Sequence, residues 1–528
     1  MSGVTTEALA RLFAECLGRE SVGHDDDFFE LGGYSLPAAK LAGEIRLAFG
    51  RSVGIADIFR NPSVRALEVM LRGSAVRPVP IEPAASVPPP LSFAQERLWI
   101  LETFHGPSAL YHVPLVLDLR GDLAVGALRA AIGDLVARHE PLRTRITIGD
   151  TAFAQEVLPA EAVSPLRVTA SDEQEVDRVV LAAATAPFDL VDEAPFRAHL
   201  FPVGPDRSVL LLLFHHIAVD GWSLDVVADD LGFAYTTRLM GLAPGWDLLP
   251  VRYTDYAAWE RARHAAEDGV PAGPGRHAKF WAATLAGLPE STAMRTDRPR
   301  PAVPSNRGGR VEVRLDRNLH RAVARLAAGL GTTVFVVVHT AVAVLLRRRG
   351  AGDDVAIGAT VSGRPDPVLE RLVGLFVNTV ILRADLSGEP TVEQLLRRIR
   401  KTDLAALEHH AYPFDKVIEL VNPARSMSYN PGVQVLLAFQ VGELVPPRLP
   451  GVVAEAEQLD VGVAKFALTF ELTECSTESA EPDGITGHLE FAADLFDRTT
   501  AECIVRELRS LLAVFVREPA RQLDELDW

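Results

Sequence analysis

The sequence predicts a small all-α unit joined through a proline-rich linker to a much larger α/β unit of two similar lobes. Three observations carry this. Residues 4–72 show only helical periods, residues 74–90 hold six prolines and no period, and from residue 91 onward helix and strand signals alternate to the end of the chain. At 528 residues, 48% hydrophobic and 23% charged, the composition is that of ordinary folded protein.

Charge and cysteine usage narrow the function classes. Seventy carboxylates against 53 basic residues give a net charge of −17, which argues against nucleic acid as a main partner. Cys16, Cys475 and Cys503 are too few and too scattered for a disulfide scaffold or a zinc site, so no metal is expected and a reducing interior fits best. The opening MSGVTTEALARLF lacks the basic-then-apolar pattern of a signal peptide. The longest apolar run, 332–346, contains His339 and ends at Arg347, Arg348 and Arg349, too short and too polar to span a bilayer. A soluble cytoplasmic protein without a membrane partner is expected.

In the first unit, Val4, Ala8, Leu9, Leu12, Phe13, Cys16 and Leu17 share one helical face. A polar loop, Gly23 to Asp27, leads to a second helix opening at Ser35-Leu36-Pro37 and stopping at Phe49-Gly50. Asp57-Ile58-Phe59 and a helix over 63–71 complete it. Past the linker, helices are predicted over 94–101, 127–138, 225–239, 320–330, 332–346 and 392–408. Strands are predicted over 113–119, 208–214, 355–361, 377–383, 433–439 and 466–472. The run SVLLLLF at 208–214 suits a strand buried on both faces. A weaker boundary lies near Gly269–Gly275. The expected division is 1–73, linker 74–90, first lobe 91–267 and second lobe 268–528.

Two constellations carry chemistry. The first is Asp27-Phe-Phe-Glu-Leu31-Gly32-Gly33-Tyr34-Ser35-Leu36. A serine at a helix mouth after two glycines is either a simple N-cap or sits where N–H groups and the helix dipole favour a phosphate. The whole string resembles the attachment site of peptidyl carrier proteins, D-x-F-x-L-G-G-x-S-L, with Tyr34 where many members carry histidine or aspartate. The resemblance implies a four-helix carrier domain with 4′-phosphopantetheine linked to Ser35 by a phosphopantetheinyl transferase, its thiol holding an amino acid or peptide as a thioester.

The second is His215-His216-Ile-Ala-Val-Asp220-Gly221-Trp222-Ser223, directly after the buried strand. It sets titratable groups on a tight turn, with Ser223 poised to cap the following helix. Metal binding fits poorly, because no third ligand is in sequence reach. The string resembles the HHxxxDG motif of the condensation domains of nonribosomal peptide synthetases. Ser92 to Trp99, Arg138 to Thr144, Tyr253 to Trp259, Val373 to Arg383, Tyr412 to Phe414 and Arg425 to Pro431 resemble further elements of that family in the same order.

This resemblance, covering about residues 88–528, implies two chloramphenicol-acetyltransferase-like lobes meeting in a V around a tunnel open at both faces. It implies amide formation, in which an acceptor amine attacks the donor thioester carried on Ser35. His216 is then the catalytic position, as general base or as the group that positions the amine and stabilises charge. Asp220 is expected to turn away from substrate and pair with an arginine, Arg364 first and Arg143 second. His215 is expected to be structural, and Gly221 to let the arm approach the backbone. Trp222 and Asn378 either line the tunnel or merely pack. Implied partners are the acceptor carrier of a downstream module and neighbouring adenylation domains. The alternatives are an epimerisation domain, which shares the motif, and a catalytically silent condensation-like recruitment platform. A heterocyclisation domain would carry aspartates in place of the histidines. Gly287 to Glu290 and Asn422 to Ser426 resemble domains that take D-configured donors, although no epimerase separates the two units.

Overall fold

A computed structural model of the chain describes residues 5–29, 31, 33, 35–49, 51, 53, 55–73, 80–83, 88–149, 152–163, 166–268, 275–289, 292–421, 428–477 and 481–527. Gly32, Tyr34, the Ser35 and Leu36 side chains, most of the linker, the boundary at 269–274, Glu290 and the phrase 422–426 lie outside the described residues.

The first unit has helices Thr6–Leu17, Ser35–Phe49, Ile55–Arg60 and Val64–Gly73. Thr5 caps the first helix by accepting from the Ala8 N–H, and Gly18 ends it in the left-handed conformation at φ 62°. Leu9, Phe13, Phe28, Leu41, Ile45, Ile58 and Leu67 are fully buried in one core. The motif's Gly33 is required sterically. A Cβ there would lie 2.3 Å from the Phe28 ring, and the Gly33 N–H donates to the Phe28 carbonyl at 2.8 Å.

The large unit is built on two main sheets. In the first, the strand order is Val452–Glu457, His112–Gly121, Arg207–His215, Phe196–Pro202 and Arg167–Val168. Strand Arg207–His215 is central and paired antiparallel on both sides, so its leucines are wholly buried, as continuous apolarity demands. In the second, the order is Gly308–Leu315, Pro482–Ala492, Leu468–Ser476, Val435–Val441, Asp354–Val361 and Asn378–Asp385. Helix Val334–Leu346 is apolar all round because it is buried along nearly its whole length against this sheet and the helices Val392–Glu408 and Arg498–Arg517. Among the described residues no single helix is long and apolar enough to cross a membrane.

The lobes exchange backbone. Strand Val452–Glu457, from late in the chain, pairs antiparallel with His112–Gly121 in the first lobe's sheet, Val116 opposite Glu457 and Gly121 opposite Val452. The segments flanking it therefore pass between the lobes, Leu459, Val461 and Val463 packing on the first lobe's core.

Candidate functional site

The site begins where strand Arg207–His215 leaves its sheet. The His215 N–H donates to the Pro195 carbonyl at 2.9 Å and the His216 N–H to the Tyr111 carbonyl at 2.8 Å. The chain then turns through Ala218, whose N–H returns to the His215 carbonyl, and enters helix Gly221–Leu239 under the cap of Asp220; Ser223, expected as the cap, lies inside the first turn and donates its N–H to that aspartate. This turn fixes both histidines in opposite roles.

His215 is fully buried. Its Nδ1 accepts from the Ile217 N–H at 3.2 Å, so its ring hydrogen sits on Nε2, 3.8 Å from Glu102. His216 faces a cavity. Its Nδ1 lies 2.6 Å from the Val219 carbonyl, which can only accept, so Nδ1 carries the hydrogen and Nε2 presents a lone pair. Burial, and next the charge of Lys465, push the His216 ring down to about 4, which keeps it neutral near pH 7.

Asp220 lines none of the three cavities described below. Its Oδ1 accepts from the Ser223 N–H at 2.9 Å, the Ser223 hydroxyl at 2.7 Å and Arg364 Nη2 at 3.1 Å, and its Oδ2 accepts from the Phe376 N–H at 3.0 Å. Arg364 also donates to the Leu372 carbonyl at 2.8 Å and stacks 4.0 Å from the Phe376 ring. The Asp220 side chain is 1% exposed and that of Arg364 5%. A buried ion pair, in which both Asp220 oxygens accept further hydrogen bonds while Arg364 Nε makes none, thus ties the histidine turn to the second lobe. Arg143 stands elsewhere, bonded to the Val136 and Leu158 carbonyls.

The scattered sequence elements converge on the same junction. Ser92 caps helix Phe93–His105 and its hydroxyl meets Tyr253 Oη at 2.9 Å, while Tyr253 Oη donates to the Leu375 carbonyl at 2.7 Å. Gly374 packs so closely on Tyr253 that a Cβ would lie 2.2 Å from its ring. Asn378 donates to the His410 and Tyr412 carbonyls at 2.8 Å each and accepts from the Phe414 N–H at 3.1 Å, so it pins the 410–414 loop while lining the His216 cavity.

Three cavities meet in series. The central one, about 160 Å³, is lined by His216, Tyr111, Asn378 and Lys465. It shares Thr360 and His410 with a larger cavity of about 1040 Å³, bounded by Gly221 and Trp222 and, from the first unit, by Asp27, Phe29 and Gly33. On its other side it shares Tyr111, Asn430 and Lys465 with a cavity of about 140 Å³ that opens beside Phe104 and Arg300. A Cβ on Gly221 would come only within 3.8 Å of Gln440, so nothing in the protein itself demands a glycine there.

The first unit sits against the large cavity's mouth. Arg60 pairs with Glu408 at the end of helix Val392–Glu408. Gly43 packs on Pro367, where a Cβ would lie 2.9 Å from the ring. Glu370 faces Lys40 and Glu44, and its carboxyl is raised by burial and then by Glu44.

Sequence reasoning missed Lys465, Ser223's bridging role and the pair Arg97–Asp415, 3.4 Å apart in the central cavity, where burial lifts Asp415 to about 6. One signal for Lys465 was legible: the chain has five lysines, and this one interrupts the apolar stretch 463–468.

The chain matches the phosphopantetheine attachment site family over residues 7–71 and the Condensation domain family over 88–528. It is 42% identical over 99% of its length to the dimodular nonribosomal peptide synthase of Bacillus subtilis, of which it spans 22%. It is 34% identical over its whole length to the isonitrile lipopeptide synthase of Mycobacterium tuberculosis, of which it spans 21%. Among solved structures, the X-domain from teicoplanin biosynthesis is matched at TM-score 0.80 and 33% identity, over 85% of this chain and all of that one. A four-domain nonribosomal peptide synthetase, AB3403, shares the fold at TM-score 0.72 and 21% identity, over 86% of this chain and 35% of that one. With the carrier helices, the paired lobes and the His216 cavity in place, the chain belongs to the condensation-domain family of nonribosomal peptide synthetases, preceded by a phosphopantetheine-bearing carrier domain.

Proposed function

We propose that this chain joins two amino acids by an amide bond, taking the donor from its own carrier domain at Ser35 and the acceptor from a separate carrier at the opposite mouth. The observation that carries this is the series of cavities, which leads from the first unit past His216 to the far face. The phosphopantetheine arm on Ser35 supplies the thiol that holds the donor's acyl group as a thioester. Gly33, two residues before Ser35 in the chain, lines the roughly 1040 Å³ cavity, which is roomy enough for such an arm and has Gly221 and Trp222 on its wall.

In the reaction a C–N bond forms, the donor's C–S bond breaks, and one amine proton ends on the released sulfur. An α-amine with an ordinary value near 8 is partly neutral at pH 7 and needs little activation. After attack its nitrogen is acidic, and His216 Nε2 presents an unprotonated lone pair to the central cavity. His216 therefore positions the amine and accepts its proton once the C–N bond has formed. Asp220 and Arg364 hold the turn without touching substrate, and His215 supports it from behind. The surroundings this implies are a cytoplasmic synthetase with adenylation domains that load the carriers and a phosphopantetheinyl transferase that primes Ser35.

A second reading has one observation in its favour. The 33% identical X-domain from teicoplanin biosynthesis has been solved in complex with OxyB, which would make this chain a recruitment platform. The test loads Ser35 with aminoacyl-phosphopantetheine, adds a separate aminoacyl carrier and follows the acceptor by intact mass. A dipeptide that vanishes in His216→Ala and Ser35→Ala supports condensation. An acceptor unchanged across several pairs supports the platform, and solvent deuterium at the donor α-carbon supports epimerisation.

A further inference from the structure

Lys465 stands at the neck between the His216 cavity and the far mouth, lining both. Its Nζ lies 5.7 Å from the centroid of the Tyr111 ring, and Tyr111 is the residue whose carbonyl holds the His216 N–H. Among the described residues no carboxylate oxygen comes within 4.0 Å of that ammonium. The nearby carboxylates have other partners: Glu490 lies 3.5 Å from Arg310 and Glu471 3.1 Å from His488. From the first lobe Tyr111, His215 and His216 stand within reach of its charge, with Glu102 3.8 Å from His215 Nε2. The central cavity it shares with His216 is also lined by Arg97, Glu260 and Arg263 from the first lobe and by His410 and Asp415 from the second, Arg97 lying 3.4 Å from Asp415 and Glu260 accepting from the Tyr256 hydroxyl at 3.1 Å. The backbone at 465 is anchored independently, its carbonyl accepting from Asn430 Nδ2 at 2.6 Å and its N–H donating to Glu490 at 3.3 Å.

We propose that Lys465 is a positioning residue for the amide-forming step, the fixed positive charge that makes the incoming α-amine and the His216 ring enter the reaction uncharged. The inference rests on the condensation reading above. An amine arriving as ammonium has no lone pair, and at pH 7 most α-amines are in that form. A cation already standing in the passage disfavours a second one, by on the order of one unit in the amine's value. The same field accounts for Lys465 being the strongest influence after burial on His216, ahead of Asp220. Lys465 also lines the cavity at the far mouth, the side by which the acceptor enters on the condensation reading.

The test uses the full chain with glycyl-phosphopantetheine on Ser35 and saturating alanyl-pantetheine as acceptor, with the single-turnover rate measured from pH 5.5 to 9. Lys465→Met keeps the stem and removes the charge. Its acid limb is expected to move up by roughly one pH unit, recovering most of the lost rate at high pH, while Lys465→Arg follows the unaltered protein. A lower rate with an unmoved limb would overturn the proposal. A second readout needs no turnover: in the resting protein the His216 ring, assigned by His216→Asn and followed by NMR, is expected to titrate higher in Lys465→Met. An unchanged titration would overturn the proposal even in a chain that forms no dipeptide, whereas absent turnover in the unaltered protein would count against the condensation reading alone.

Discussion

Replacing Arg364 with methionine removes a guanidinium that joins the two lobes at the histidine turn. The substitution deletes the bonds to Asp220 Oδ1 and Ser223 Oγ, each 3.1 Å, those to the Leu369 and Leu372 carbonyls, and the stacking on Phe376 at 4.0 Å. Breaking a buried ion pair from one side costs about 3–5 kcal/mol, because the partner charge is left without its counterion. Asp220 keeps three donors, the Ser223 N–H and hydroxyl and the Phe376 N–H, which places the loss near the lower end, about 3 kcal/mol. For a lobe of this size each kcal/mol moves the unfolding midpoint by about 2 °C, so a fall of about 6 °C is expected in a thermal melt. Asp220→Asn alone should be destabilising too, and the double variant should cost clearly less than the sum. Strict additivity, or a midpoint within a degree of the unaltered protein, would refute a structural role for this pair.

Arg60→Glu sets two carboxylates against each other at the carrier contact and should slow use of the Ser35-bound donor several-fold, while a soluble donor thioester, which does not need the contact, reacts at the ordinary rate. Gly33→Ala should destabilise the carrier unit by about 1–3 kcal/mol, read as loss of helical circular dichroism in a denaturant series, because its Cβ overlaps the Phe28 ring. Burial holds His112 at about 4 and His277 at about 3, below the ordinary 6.5. In the unfolded chain these rings take up protons first, so stability present above about pH 6.5 is lost as pH falls toward those values, by on the order of a few kcal/mol. The melting midpoint should therefore drop steadily between pH 6.5 and 4.5, and less so in His112→Asn.

Much of the fold was legible because its signals are local. The helix over 392–408 occupies the residues its periodicity marks, and the run at 208–214 is the central strand its apolarity demands. Strand Val452–Glu457 was not legible. It is half-exposed, and its partner His112–Gly121 lies in the other lobe, so no neighbouring segment betrays the pairing. Strand Pro482–Ala492 was not predicted: Gly484 and Gly487 interrupt its pattern, yet both are strand residues at φ 121° and 143°. At Gly487 a Cβ would lie 2.0 Å from the Glu471 carbonyl oxygen of the adjacent strand.

At the site, the histidine turn was visible as one contiguous string, and Arg364 was named from family resemblance. That Ser223 shares Asp220 and Arg364, and that its hydroxyl reaches the Gly374 backbone 151 residues away, follows only from the lobes closing on each other. Lys465 is the same kind of case. Its place in an apolar stretch marks it as unusual, but that it stands beside the His216 cavity follows only from the lobes closing on each other.

The most direct measurement is the single-turnover rate at which the donor leaves Ser35 for a saturating acceptor, compared between the unaltered chain and His216→Ala at pH 7.5. If His216 positions the amine and takes its proton, the rate should fall by about 10²-fold or more, with carrier loading and melting midpoint unchanged. Equal rates in the two proteins would contradict it.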